Sequence, residues 1–131
     1  MRFMAMVKGC ETNRMPPPEL MAAIDRLTEE GAKAGFVMLE SGGLFPTAKG
    51  GVRVRLANGN VDVIDGPFSE AKEVVGGYAI YEVPTREEAV MWTRRFMDLH
   101  RQYWPGWQGE TELRQIFGPE DFAEIMGCKG G

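Results

Sequence analysis

The chain has few of the residues from which metal sites and disulfide frameworks are built. Its 131 residues include two cysteines and one histidine. Cys10 and Cys128 lie near opposite ends of the sequence, in no metal-ligand spacing. Secreted domains of this size usually carry more cysteines, so we expect a cytoplasmic protein that holds no metal and no other cofactor.

Other features that the sequence lacks exclude whole classes of binding partner. The net charge is −4, and there is neither a basic stripe nor a run of like charges, so a nucleic-acid partner is not expected. No apolar stretch approaches the length of a membrane span, and the first apolar run is too short for a signal peptide. Hydrophobic residues make up 44% of the chain, which is enough for the core of one domain over 1–131 without disulfides or metals.

Apolar periodicity predicts the order strand, helix, strand, strand, helix, strand, apart from one inserted hairpin. The strands are expected at 3–7, 36–39, 75–83 and 111–117, and a short terminal helix at 119–126. The first strand is apolar throughout, which favours a central strand covered on both faces. Prolines at 16–18 precede the first helix, and Thr85 with Glu88 forms a capping box before the second.

The inserted hairpin has the clearest local signal. Val52, Val54 and Leu56 alternate with charged residues, and then Asn58-Gly59 interrupts the pattern. An Asn-Gly turn between alternating runs favours a two-residue hairpin loop, because both turn residues tolerate positive φ. The expected cross-strand pairs are Leu56 with Val61, Arg55 with Asp62 and Val54 with Val63.

This element order is typical of an α+β, ferredoxin-like split βαβ fold with one antiparallel sheet. Both helices then lie on a single face of the sheet, and the other face needs a cover. A second copy of the chain is the simplest cover, and two-fold pairing is the commonest symmetry. The sequence therefore predicts a homodimer.

The hairpin runs into a block that carries a family resemblance. Residues 65–68 read Asp-Gly-Pro-Phe, residues 69–73 read Ser-Glu-Ala-Lys-Glu, and residues 75–78 read Val-Gly-Gly-Tyr. Together with Glu-Leu-Arg at 112–114, in the place of the final strand, the block resembles the DGPF group of YCII-related proteins. That resemblance covers most of the chain and implies a dimeric α/β barrel.

The resemblance also implies what to look for in function. Some YCII relatives are enzymes, including a dehydrochlorinase of chlorinated aromatic breakdown, with a His–Asp pair as the proposed catalytic unit. Members of the DGPF group are often encoded beside extracytoplasmic-function sigma factors, which implies a regulatory link. The family aspartate corresponds to Asp65, whereas the only histidine, His100, lies on the second long helix and does not match the family position.

Asp65 is the first candidate catalytic residue. Strand alternation places it on the same face as Val61 and Val63, where a carboxylate is out of character. Burial there would raise its pKa and make it useful for general acid–base chemistry. Alternatively, an Asp before Gly-Pro bonds its own downstream backbone and locks the turn.

His100 is the second candidate catalytic residue. It lies on the inner side of its helix, near the C-terminal end, where the helix dipole favours imidazolium. The alternative is that its ring packs in the core and bonds one carbonyl group.

Four further residues are candidates for ligand binding. Arg53, with Arg55, is suited to clamp an anion, although Arg55 facing Asp62 is equally a solvated ion pair. Tyr78 and Tyr81 point to opposite faces of their strand, so at most one lines a given pocket. Trp104 begins a Trp-Pro-Gly-Trp turn that suits either an aromatic pocket wall or a subunit interface.

These observations leave two main interpretations. The first is a protein that binds a small organic molecule in a pocket of the dimer. In its catalytic form this protein is a lyase-like or isomerase-like enzyme that uses Asp65 for acid–base chemistry. The second is a non-catalytic regulatory protein that works with a sigma factor. A dimer interior that is fully packed and has no site remains a third interpretation, since this fold hosts unrelated functions.

Overall fold

The computed structural model describes residues 1–10, 14–68 and 74–129, with side chains up to residue 127. Residues 69–73 of the family block and the side chain of Cys128 lie outside this description. Within it the elements are β1 (Arg2–Gly9), α1 (Pro18–Lys33), β2 (Val37–Gly43), β3 (Val52–Ala57), β4 (Asn60–Asp65), β5 (Val74–Glu82), α2 (Arg86–Tyr103), β6 (Gly109–Ile116) and α3 (Pro119–Lys129).

Four strands form one antiparallel sheet in the order β2-β5-β1-β6. With α1 between β1 and β2, and α2 between β5 and β6, this is a ferredoxin-like split βαβ arrangement of the α+β class. The fold class predicted from the sequence is confirmed. So is the central position of β1, which pairs with β5 on one side and with β6 on the other.

The core lies between the sheet and the two long helices. Tyr81 on β5 stacks near Phe36, with ring centroids 4.3 Å apart, and Trp92 of α2 lies 5.8 Å from Phe36. Aromatic pairs at these distances stabilise a core beyond the area they bury. The buried cluster consists of Phe3, Ala5, Phe36, Tyr81, Val83, Ala89 and Trp92.

Helix α2 begins at the predicted cap. The hydroxyl of Thr85 accepts a hydrogen bond from the backbone N–H of Glu88 at 3.1 Å, which satisfies one of the free donors of the first turn. In the described part of the chain, Oε2 of Glu88 is buried without a hydrogen bond. The Thr85 half of the capping box is therefore confirmed, and Oε2 of Glu88 does not complete the reciprocal half.

The inserted hairpin is a separate two-stranded sheet of β3 and β4. Its turn residues Asn58 and Gly59 have φ of 53° and 79°, as the Asn-Gly signal predicts. The three predicted pairs are confirmed: Leu56 with Val61, Arg55 with Asp62, and Val54 with Val63. Alternation then gives the hairpin an apolar face and a charged face.

Candidate functional site

The sheet face opposite the long helices is here called the open face. Its middle is an apolar strip of Met4, Met6 and Ile80, which are half-buried in the protomer. Strand alternation places these side chains opposite to Phe3 and Tyr81 of the core. The long helices cover the opposite face of β1 and not the open face. The cover that the sequence predicts for the open face therefore has to come from another surface.

A tyrosine–carboxylate pair borders the strip on the β2 side. The pairing of β2 with β5 shifts between Met38 and Glu40, and this irregularity places Glu40 on the open face opposite Ile80. The Tyr78 phenol lies beside the Glu40 carboxylate and interacts with it electrostatically. The negative charge of Glu40, with burial adding to it, raises the pKa of Tyr78. The phenol therefore stays protonated at neutral pH and acts as a hydrogen-bond donor.

Gly42 makes room for this pair. Gly42 lies directly opposite Tyr78 in the sheet, and a Cβ at this position would be 3.2 Å from Cε1 of the Tyr78 ring. The missing side chain lets the ring lie across β2, toward Glu40. A glycine here shapes the open face through the space that it leaves.

An ion-pair chain borders the strip on the β6 side. The Lys8 ammonium contacts the Glu112 carboxylate, whose other oxygen lies 3.3 Å from the Arg114 guanidinium. The hydrogen bond from Lys8, and then that from Arg114, holds the pKa of Glu112 below its ordinary value. Glu112 is therefore a stable anion that aligns two cations beside the strip.

These groups define what the open face can bind. Tyr78 on β5 and Glu112 on β6 both lie opposite Met6 of β1, so two interstrand spacings, about 10 Å, separate these two border positions. Between them, flexible methionine side chains adapt to the shape of an apolar ligand. The arrangement suits a flat organic molecule with an apolar body and hydrogen-bonding groups at its two ends.

The Asp-Gly-Pro-Phe turn at the base of the hairpin is held by the loop before β3. The backbone N–H of Gly66 donates to Gly51 O at 2.7 Å, and the N–H of Phe68 donates to the Thr47 hydroxyl at 3.1 Å. The Arg53 guanidinium lies 3.9 Å from the centroid of the buried Phe68 ring. Arg53, predicted to bind a ligand, thus packs on the anchor of the hairpin through a cation–π contact.

Asp65 lies just before this turn, at the end of β4 and opposite Val52. It shares the hairpin face of Val61 and Val63, as predicted, but all three are exposed in the protomer. The single chain therefore does not bury this carboxylate as the sequence analysis expects. The alternative is not found either, because the Asp65 carboxylate accepts no hydrogen bond from the described residues, and Gly51 and Thr47 hold the turn.

His100 lies in an aromatic cluster at the C-terminal end of α2. Its ring centroid is 4.6 Å from Phe96, 6.3 Å from Trp104 and 4.7 Å from Trp107. Nδ1 lies 3.0 Å from Phe96 O, so we assign the proton to Nδ1 and the lone pair to Nε2. Burial lowers the pKa of His100, partly offset by this hydrogen bond.

The structure does not favour the imidazolium that the sequence analysis expects for His100, because burial lowers the pKa of the ring. The packed histidine with one carbonyl bond is what the structure shows. Trp104 is buried beside it, and Arg14 lies 5.6 Å above the Trp104 ring. A shallow cleft of about 290 Å³ runs along this cluster.

The predicted site residues fall into separate groups. His100 and Trp104 come together, Arg53 and Asp65 lie at the hairpin base, and Tyr78 lies on the open face. Tyr81 is in the core, where its hydroxyl is 3.1 Å from that of Thr93. Within the described residues, no hydrogen bond joins His100 to Asp65.

The sequence analysis assigned no site role to the charged groups on the open face. They are Lys8, Glu40, Glu112 and Arg114. Lys8 and Glu112 are 104 residues apart in sequence, and only the pairing of β1 with β6 brings them together. The one available signal was the charged alternation of β6 around Leu113, which predicts a strand with one polar face.

A second cleft, of about 480 Å³, lies between α2 and β6, and none of the predicted site residues lines it. In the part of the chain that the structure describes, histidine, cysteine and acidic side chains form no group able to hold a metal ion. No described helix is both long and apolar enough to span a membrane.

Comparison with known proteins identifies one related family. Residues 1–97 match the family model described as the YCII-related domain. The match includes β1 to β5 and the first part of α2, and hence Tyr78, Glu40 and the Asp-Gly-Pro-Phe turn. His100, Trp104 and Trp107 of the aromatic cluster lie beyond it, and so does β6 with Glu112 and Arg114. No curated protein matches the chain at a significant level.

Proposed function

The chain belongs to the YCII-related domain family, and on that premise we propose that it binds a small organic molecule on the open face of its sheet, inside a homodimer. The observation that carries the proposal is the open face itself. An apolar strip there is bordered by the Tyr78–Glu40 pair and by the ion-pair chain of Lys8, Glu112 and Arg114. A few placed polar groups around an apolar floor are typical of ligand sites.

The dimer supplies the cover that a ligand site needs. Pockets enclose most of a bound ligand, whereas the open face of one protomer is only a sheet surface. A second copy of the chain, related to the first by a two-fold axis, would enclose the strip, as the two subunits of a dimeric α/β barrel enclose their interior. The barrel is part of this proposal.

The proposal has a catalytic form, a cofactor-independent lyase-like or isomerase-like enzyme. In that form the acid–base residue is Asp65. Tyr78 does not take this role, because its raised pKa keeps it protonated and leaves it a poor base. Tyr78 would instead bind and orient a carbonyl or hydroxyl group of the substrate.

A thermal-shift screen with aromatic alcohols, ketones and carboxylates tests the binding function. We expect at least one class to raise the melting temperature in proportion to its concentration. Tyr78→Phe should then weaken binding of that class about 5- to 10-fold, the effect of one lost hydrogen bond. Tyr103→Phe is the matched control, since Tyr103 ends α2. A flat screen, or equal affinities for the two variants, would remove the proposal.

A second candidate is a regulatory protein that contacts an extracytoplasmic-function sigma factor. The exposed apolar face of the hairpin favours this candidate, because large apolar patches mark protein contacts. The test is light scattering of the protein mixed with the sigma factor encoded nearest to its gene. A complex that Leu56→Lys abolishes supports the candidate, and two separate species remove it.

A further inference from the structure

In the β3–β4 hairpin the apolar face is more exposed to solvent than the charged face, which is the opposite of the arrangement expected in a monomer. Arg53 and Ile64 of the charged face are the less exposed residues, and Arg53 packs on the buried Phe68 of its own chain. The apolar face points away from the protomer. It consists of Val52, Val54, Leu56, Val61 and Val63, which are between 48% and 73% exposed.

This exposed face is large enough to be a contact surface. Its five side chains expose on the order of 500 Å² of apolar surface, the size of the largest such patch on a typical monomer. A two-stranded hairpin is marginally stable by itself in water. In the described residues the hairpin is tied to the protomer at its base, near Thr47, Gly51 and Phe68, so the apolar face is the surface left to stabilise it.

We infer that the apolar face of each hairpin packs on the open face of a second copy, and that this contact carries Asp65 into the site of the partner. The inference deepens the proposed function and rests on its dimer. Asp65 shares the hairpin face with Val61 and Val63, so any surface that covers these valines also covers the carboxylate. The site would be composite, with Tyr78 and Glu40 from one chain and Asp65 from the other.

The area and the symmetry both fit a second copy as the occupant. Two hairpins related by a two-fold axis, with the surfaces that they cover, would bury on the order of 2,000 Å², which is enough for a stable dimer. The open face offers the matching chemistry, since Met4, Met6 and Ile80 form an apolar strip that the long helices do not cover. Each copy thus supplies both a β3–β4 hairpin, here called the arm, and the open face that receives the arm of its partner.

The arrangement explains how an exposed aspartate can be a site residue. Enclosed between the arm and the partner sheet, the carboxylate would lose water and become the buried acid that the sequence analysis expected. The base of the hairpin would then hold Asp65 in a fixed position, because Thr47 and Gly51 hold the turn directly after Asp65.

Cross-linking between differently tagged chains tests the contact. In a background with Cys10→Ser and Cys128→Ser, Val63→Cys in one chain and Ile80→Cys in the other are treated with a short bismaleimide. We expect a product that contains both tags. The matched control is Asp62→Cys with Ile80→Cys, because Asp62 lies on the opposite face of the same strand, and it should give at most a tenth of that product.

Several results would overturn the arm. They are Val63→Cys linked only to Val63→Cys of another chain, equal yields with the Asp62→Cys control, or no product from a dimeric protein. If the protein is dimeric and the ligand screen is positive, these results reject the arm and leave the proposed function. Cross-links together with a flat screen support the arm and reject the ligand. A monomeric protein rejects both.

Alkylation tests the position of Asp65 without any assay of activity. In the same cysteine-free background, Asp65→Cys should react with a maleimide at least 10-fold more slowly than Asp62→Cys. Adding Leu56→Lys, which disrupts the apolar face, should restore fast reaction at position 65. Equal rates at positions 65 and 62 in the dimer would overturn the composite site.

Discussion

The space at Gly66 is set by the Thr47 backbone. A Cβ at position 66 would lie 2.8 Å from the Thr47 carbonyl carbon and closer still to its oxygen. Backbone atoms cannot move aside as the end of a long side chain can. Gly66→Ala is therefore expected to lower the free energy of unfolding by about 1–3 kcal/mol, the usual cost of overpacking, as measured by urea denaturation.

Gly76→Ala is the control for this substitution. A Cβ at Gly76 would meet no atom within 4 Å, so its effect should be well under that of Gly66→Ala. Equal stabilities of the two variants would mean that the hairpin base adjusts freely and that the Asp-Gly-Pro-Phe turn is not a rigid anchor.

The single histidine gives the protein a defined pH response. Burial lowers the folded-state pKa of His100, whereas in the unfolded chain it is close to the ordinary value of about 6.5. The unfolded state therefore binds more protons as the pH falls below 6.5. Stability from this source is complete above pH 6.5 and is lost as the pH falls toward the folded pKa.

Imidazole proton NMR measures this pKa without ambiguity, since the chain contains one histidine. We expect a midpoint below the ordinary value of about 6.5 and an unfolding free energy that decreases as the pH falls below about 6.5. The slope should be reduced in His100→Gln. A midpoint above 6.5 would show that the helix terminus outweighs burial.

At the scale of single residues, the sequence predicted which face of a strand or helix a side chain lies on better than it predicted whether that side chain is buried. Alternation placed Asp65 with Val61 and Val63, and the structure agrees. Burial was a different matter, because alternation does not say which surface covers a face. For His100, the local helix position was predicted, but Trp107, which helps to desolvate the ring, contacts it only through the turn after α2.

The cap of α2 is the prediction that belongs to the scale of the element. Thr85→Ala removes the acceptor for the Glu88 N–H and should lower the free energy of unfolding by about 1 kcal/mol. Thr85→Ser keeps the oxygen and should recover most of this loss. Chemical denaturation compares the two variants, and identical stabilities would show that water replaces the cap.

Elements with local signals were predicted well, and those defined by long-range pairing were not. The Asn58–Gly59 hairpin was predicted pair by pair, because its register is fixed by the turn. The shift near Leu39 was not predicted, although it determines that Glu40 lies beside Tyr78. No local pattern marks it, since the partner strand begins more than 30 residues later.

At the scale of the whole molecule, the strand order followed from the sequence, and the surface that completes the open face did not. The core packs on one side of the sheet, as amphipathic helices require. The opposite side and the hairpin remain apolar and uncovered in one chain. Both features have the same explanation if each copy covers the other, which is the central claim about the assembly.

Sedimentation equilibrium of the wild type, Leu56→Lys and Asp62→Lys tests that claim most directly. We predict that the wild type and Asp62→Lys sediment at twice the chain mass of 14.6 kDa, because Asp62 lies on the charged face of the hairpin. Leu56→Lys should sediment at the mass of one chain while retaining its circular dichroism. A wild type that remains at one chain mass at micromolar concentration would contradict the account.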